Sequence, residues 1–226
     1  MSVKLISYSQ INMLDTPGRK PLGLDTPQDL IAYCARVSNP SNQNNTETSE
    51  KLIQYLIKHK HWSPLEMVSA CLEIETTRDI ARQILRHRSF SFQEFSQRYA
   101  DPTKDLKFVT REARLQDQKN RQNSIEVDDS KLQQEWDTLQ EMLIEDARSA
   151  YQWAISKGIA KEQARAVLPE GLTMSRMYMN GTLRSWVHYI ELRSANGTQK
   201  EHMEIAQACA VEIAKVFPLI REINEI

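Results

Sequence analysis

The chain has 226 residues, 29 Lys and Arg against 30 Asp and Glu for a net charge of −1, and 40% hydrophobic residues. That length suits one large domain or two small ones with a substantial core, and a near-neutral charge argues against a protein that lives on nucleic acid, where counterion release demands an excess of cations. No apolar run approaches membrane-spanning length, Met1 to Gln10 do not read as a signal peptide, and Cys34, Cys71 and Cys209 stand far apart among apolar neighbours. These features lead us to expect buried free thiols in a cytoplasmic protein, with neither a disulfide frame nor a zinc site.

In chain order, Val3 to Ser9 alternates as a first strand. Thr16-Pro17-Gly18 and Thr26-Pro27 punctuate a loop, Pro27 suits the first turn of a helix through Ala35, and Arg36-Val37-Ser38 ends that helix. Asn39 to Thr48 reads as a surface loop, followed by a helix that buries Leu52, Ile53, Leu56 and Ile57. His59 and His61 are spaced like metal ligands but have no third donor nearby, so no metal is expected there and the segment reads as a helix end with a Pro turn. Val68, Ala70, Leu72 and Ile74 form one face of a strand, with Glu73 and Glu75 opposite.

Asp79 to Leu85 reads as a helix with Ile80, Ile84 and Leu85 inward, and its continuation places Gln83, Arg86 and His87 on one stripe. After Arg88, Phe90 and Phe92 alternate with Ser, and if the extended chain persists, Glu94, Ser96 and Arg98 share a face. Two readings fit. Cations, an amide, a carboxylate and hydroxyls converging here suit an anionic, hydrogen-bonding small molecule. Alternatively the basic turn only complements the helix dipole, which accounts for Arg86 to Arg88 but leaves Ser96, Arg98 and the interleaved Phe residues unexplained.

Asp101 to Ser130 is crowded with charged and amide residues without periodicity, which suggests a mobile surface segment or lid. Ser130 and Gln133 look like a capping box opening a long helix that reaches Trp153, with Leu132, Trp136, Leu139, Leu143 and Ala147 stepping by three and four as core. Gly158 ends it. Lys161 to Pro169 is a short helix in which Arg165, by itself, is a solvated charge, and Leu172 to Met179 is a strand or a partly buried connector. Asn180-Gly181 reads as a turn opening a helix to Arg193, with Leu183, Trp186, Val187 and Ile190 inward and Arg184 and His188 on a second stripe that an exposed, salt-bridging face would also explain. Thr198 to Glu201 is a second capping box, and the last helix buries Ile205, Cys209, Ile213 and Val216 or Phe217 before Pro218. Few strands among more helices, without strict alternation, give an α+β class: mixed helices packed on a small sheet in a single domain, 1–226. Six glycines and no Gly-rich loop argue against a dinucleotide fold.

The run Arg86-His87-Arg88, seven residues, Ser96, with Arg98 beyond, resembles the signature of the flavin-dependent thymidylate synthase family, and the likeness extends from about Arg36 to about Glu204. The resemblance implies reductive methylation of dUMP to dTMP, with 5,10-methylenetetrahydrofolate as carbon donor, FAD as cofactor and NADPH as reductant, in a homotetramer with no nucleic-acid, membrane or metal requirement. It implies Gln83, Arg86, Glu94, Ser96, Gln97, Arg98, Arg165 and Arg193 as substrate contacts. Around FAD it implies His61, Ser63, Arg86, His87, Arg88, Glu94, Thr182, Arg184 and His188, although relatives can carry Asn in place of Thr182 and His188. Guanidinium groups suit a phosphate, and Arg193 near the uracil would act catalytically by stabilising charge on the ring. Cysteines in apolar settings are poor nucleophiles, and a flavin removes the need for one. The rival readings are a nucleotide- or RNA-binding module without catalysis and a flavin reductase that methylates nothing.

Overall fold

The computed structural model describes residues 1–11 and 24–224; the loop expected around Thr16-Pro17-Gly18 lies outside them. The elements are β1 (Ser2–Tyr8), α1 (Pro27–Ala35), α2 (Ser49–Lys58), β2 (Ser69–Thr77), α3 (Arg78–Ile84), β3 (Ser91–Glu94), α4 (Pro102–Asp105), β4 (Arg114–Gln116), β5 (Ser124–Glu126), α5 (Ser130–Ser156), α6 (Lys161–Ala164), β6 (Met174–Thr182), α7 (Leu183–Ser194), α8 (Lys200–Ile213) and α9 (Leu219–Asn224). Strands β1-β2-β6-β3 form one sheet in that order, and β4 and β5 form a separate hairpin. All pairings are antiparallel, and the β1–β2 register slips between Leu5 and Ser7 in a bulge. This is the α+β arrangement expected.

One face of the sheet carries the core. Ala70, Leu72 and Ile74 of β2 and Met177 and Met179 of β6 pack with Trp186, Tyr189 and Ile190 of α7 and Ile205, Cys209 and Ile213 of α8. The period-two alternation that put Glu73 and Glu75 outside is visible in their cross-strand partners: Tyr178 donates to Glu73 at 2.9 Å, and Arg176 pairs with Glu75 at 2.5 Å. Trp186 is fully buried and donates its indole N–H to the Ala70 carbonyl at 3.0 Å, pinning α7 to β2.

Several local expectations shift. Helix α3 stops at Ile84, and the alternation after Arg88 ends at Glu94. Past Glu94 the backbone turns, with the Ser96 carbonyl accepting from Tyr99 and Ala100 N–H, so Glu94, Ser96 and Arg98 do not share a strand face. Asn180 and Gly181 are the end of β6, opposite Cys71 and Ala70, and not a turn. Asp129, not Ser130, caps α5 by accepting from Lys131 and Leu132 N–H, while Gln133 reaches the Ala113 backbone. Helix α8 has Gln199 and not Thr198 at its N-cap, with no side-chain cap bond, and Glu201 instead pairs with Arg114 at 2.5 Å. Past Pro218 the chain forms one more short helix, α9. Cys34 and Cys71 are only partly buried, whereas Cys209 is fully so.

The largest correction concerns α5. Its buried stripe is Gln140, Ile144, Ala147, Tyr151 and Ala154, whereas Trp136, Leu139, Leu143 and Trp153 are 42–59% exposed. Two apolar stripes run along this helix, and the single chain buries the one richer in small residues. Segment 101–130, unperiodic because its elements are only three or four residues long, is tied down by Arg111, which reaches Asp79 and Thr77 at 2.7 Å each, and by the Arg114–Glu201 pair.

Candidate active site

Helix α3 follows β2 without a connecting residue, so the sheet aims the signature run directly. Its first turn is tied by Arg78 N–H to the Thr173 carbonyl, and its end by His87 N–H to the Ile84 carbonyl. Past that turn, Arg193 at the end of α7 donates from Nε to His87 Nε2 at 2.9 Å. An imidazole nitrogen that accepts from a guanidinium carries no proton, so His87 is neutral here. Burial, then the Arg193 and Arg86 charges, lower its pKa to about 4. Its ring stands edge-on to Tyr189 with centroids 4.9 Å apart. Gln83 faces inward against His202 and Gln199, while Arg86 and Arg88 project outward, exposed and without a partner among the described residues.

A second group lies at the other end of β3. The Glu94 carboxylate accepts from Ser175 at 2.8 Å and pairs with Arg82 at 3.4 Å and Arg78 at 3.6 Å. Glu170 joins the same two arginines. Gln97 is 3% exposed and its amide nitrogen has no partner, a buried donor of the kind that a ligand or neighbouring surface satisfies. The Ser96 hydroxyl accepts from Arg98 N–H at 3.3 Å. Arg98 pairs with the Glu162 carboxylate at 3.5 Å, and Arg165 donates to the Glu162 carbonyl at 3.3 Å. The two guanidinium groups therefore gather at one residue.

The third group flanks the start of α7. Thr182 caps that helix by accepting from Ser185 N–H, and Arg184 forms an ion pair with Glu66. His188 packs edge-on against Trp62, with ring centroids 4.5 Å apart, next to His61 and Ser63 on the α2–β2 connection. Ser185 also donates to the Ser89 carbonyl at 3.2 Å, tying the signature loop to this helix start. Arg184 and Arg193 are roughly 14 Å apart along α7 by helical rise.

The sequence-derived residues thus fall into three groups: Gln83, His87 and Arg193; Glu94, Ser96, Gln97, Arg98 and Arg165; and His61, Ser63, Thr182, Arg184 and His188. Within one chain no hydrogen bond or ion pair joins Arg193 to Arg98 or Arg165 among the described residues. Sequence reasoning missed Tyr189, His202, Gln199, Arg78 and Arg82. His202 was detectable, because it precedes Ile205 and Cys209 by three and seven residues on the buried stripe of α8. A cavity of about 870 Å³ opens between the β4–β5 hairpin, the start of α5 and the α7–α8 connection, lined by Arg114, Trp136, Asn196 and Gln199 among others.

These groups bring guanidinium, imidazole, aromatic and carboxylate side chains to the signature run and to the elements on either side of it. Residues 23–219 match the family model described as thymidylate synthase complementing protein. The chain is 49% identical over 222 residues to the probable flavin-dependent thymidylate synthase of Paramecium bursaria Chlorella virus 1, covering 97% of each. It is 50% identical over 195 residues to the flavin-dependent thymidylate synthase of Synechocystis sp., covering 86% of this chain and 88% of that one. The fold matches that of the UMP/dUMP methylase PolB from Streptomyces cacaoi bound with 5-Br dUMP, with a TM-score of 0.80 at 24% identity, covering 98% and 93% of the two chains. The chain belongs to the flavin-dependent thymidylate synthase family.

Proposed function

We propose that the chain catalyses the reductive methylation of dUMP to dTMP, taking the carbon from 5,10-methylenetetrahydrofolate and the electrons from NADPH by way of FAD. The reading rests on family membership and, in the structure, on the Arg193–His87 hydrogen bond, which joins the signature run to the arginine assigned to the pyrimidine. The donor set fits FAD. Trp62 and His188 offer ring faces and edges near Thr182 and Arg184 at the start of α7, with His61 and Ser63 flanking Trp62 in the chain, and the exposed Arg86 and Arg88 add cations suited to a pyrophosphate-bearing ligand. FAD supplies hydride chemistry when bound, which removes the requirement for a thiolate on the uracil ring.

The protein's own thiols are suited to that division. Burial raises the pKa of Cys34, Cys71 and Cys209 alike, which lowers thiolate content. Arg193, held by a neutral acceptor and not by a carboxylate, keeps its full charge available to a developing uracil anion. A fixed donor of this kind contributes about 3 kcal/mol to the transition state. Arg98 and Arg165, with Ser96, Gln97 and Glu94, form the phosphate-binding group, and a second copy of the chain brings that group to Arg193. The exposed apolar face of α5 supports such a homo-oligomer, a tetramer by family resemblance. The free state of Cys34, Cys71 and Cys209 is in keeping with a reducing, cytoplasmic setting.

The test is a spectrum of the purified protein, a dUMP titration, and tritium release from C5-labelled dUMP. Flavin absorbance that bleaches with NADPH, perturbation by dUMP and release of tritium are expected. Arg193→Ala should retain the flavin and lose turnover. A colourless protein, or a flavoprotein that oxidises NADPH but never releases tritium, overturns the assignment in favour of a binding module or a reductase respectively.

A further inference from the structure

A single hydrogen-bond chain runs from the interior to the β4–β5 hairpin through Gln83. Tyr189 Oη lies 3.1 Å from His202 Nε2, and His202 Nδ1 lies 3.2 Å from Gln83 Oε1. Gln83 Nε2 lies 2.8 Å from Gln199 Oε1, Gln199 Nε2 lies 2.9 Å from Glu201 Oε2, and Arg114 Nη2 lies 2.5 Å from Glu201 Oε1. The ends dictate every direction. Arg114 can only donate and the Glu201 carboxylate can only accept, so Gln199 must donate to Glu201 and offer its carbonyl to Gln83. Gln83 then donates through Nε2 and accepts at Oε1 from His202 Nδ1–H, and His202 Nε2 accepts the Tyr189 hydroxyl.

A flipped Gln83 amide would set its oxygen against the Gln199 oxygen, an acceptor–acceptor contact that no change of the His202 tautomer repairs. Gln83 therefore keeps one amide hydrogen for a ligand, in the last turn of α3, just ahead of Arg86 and His87. Only a neutral His202 with its proton on Nδ1 supports this arrangement, and burial, then Arg193 and His87, favour the neutral ring.

We propose that His202 is a positioning residue: through the Tyr189–His202–Gln83 chain it locks Gln83 as a hydrogen-bond donor to an oxygen acceptor of the bound nucleotide, either a phosphate or a ring carbonyl. The proposal deepens the dUMP reading above and rests on it.

His202→Leu leaves Gln83 free to rotate, while His202→Gln can donate to Gln83 and accept from Tyr189. With flavin content and folding checked, His202→Leu should raise the KM for dUMP about tenfold with kcat changed about twofold or less, and His202→Gln should restore KM. If His202→Leu does not fold, Gln199→Met breaks the same chain from its more accessible end and should raise KM similarly. Binding of deoxyuridine separates the acceptors: a loss confined to dUMP identifies a phosphate oxygen, and an equal loss for both identifies a ring carbonyl. Nitrogen NMR of His202 should show the neutral Nδ1–H tautomer. An unchanged KM in a folded His202→Leu or Gln199→Met protein, failure of His202→Gln to rescue, or an Nε2–H tautomer overturns the positioning role while leaving dUMP methylation intact. A wild-type protein that does not bind dUMP overturns both.

Discussion

Gly181 sits near the end of β6 where no side chain fits. A Cβ built there would lie 2.4 Å from Phe90 Cδ1, 2.6 Å from Cε1 and 3.2 Å from Cγ. Carbon atoms rest about 3.5–4.0 Å apart, so Gly181→Ala forces the Phe90 ring back by roughly an ångström or more. The ring has little room to retreat, being edge-on to Trp186 at 4.8 Å and to Tyr189 at 5.9 Å between centroids. Overpacking of this kind costs about 1–3 kcal/mol, against about 0.5–1 kcal/mol gained by replacing Gly in a strand. A net loss of about 1–2 kcal/mol is expected in urea unfolding. Because Phe90 follows Ser89, whose carbonyl is held by Ser185, the displacement should also weaken flavin retention. Adding Phe90→Leu relieves the clash, so the double variant should be more stable than the sum of the single effects. A Gly181→Ala protein as stable and as yellow as the wild type, or strict additivity in the double variant, would refute this account of the close approach.

Acid should destabilise the protein through its buried imidazoles. His202 and His87 are held neutral, at about 3 and about 4, against an ordinary value of 6.5. Their contribution is complete above pH 6.5 and is lost as the pH falls toward 4 and then 3. For the fully buried His202 this loss accumulates by at most about 1.4 kcal/mol for each pH unit below 6.5. Urea midpoints measured from pH 7.5 to 4 should fall steeply and be flatter in His202→Gln, whereas equal slopes would argue against the buried histidine as the cause. Replacing Cys34 and Cys71 by Ser and Cys209 by Ala should leave most turnover, and a folded but inactive member of that series would reverse the view of the chemistry. Leu139→Lys combined with Leu143→Lys should lower the sedimenting mass while preserving helical circular dichroism; an unchanged mass would dissociate the exposed α5 face from assembly.

Elements whose fate is decided locally were legible in the sequence. Pro27 and Ala35 bound α1 as read, and Thr26 with Asp29 closes a capping box that supports that start. The alternation through Ile74 gave β2, and Leu183, Trp186, Val187 and Ile190 are all buried in α7. Choices settled by distant partners were not legible. Glu201 looked like a cap but is taken by Arg114, which is 87 positions away. Asn180-Gly181 has turn chemistry, yet pairing with β2 keeps it extended. Helix α5 carries two apolar stripes, and periodicity cannot say which of them the chain buries in itself. The site shows the same division: helical spacing picked out His87 and the family resemblance picked out Arg193, but neither showed that one holds the other, a contact between residues 106 positions apart.

Strand β1 closes one side of the four-stranded sheet, and its outer rim is not left open. Leu5 offers its backbone N–H away from β2, and the Glu212 carboxylate of α8 takes it at 3.0 Å. The slip between Leu5 and Ser7 twists the remainder out of line, and Lys4 adds a solvated charge. A foreign strand seeking to extend this ribbon would meet an occupied donor, a kinked template and a cation. Edge-to-edge strand addition along β1 is therefore disfavoured.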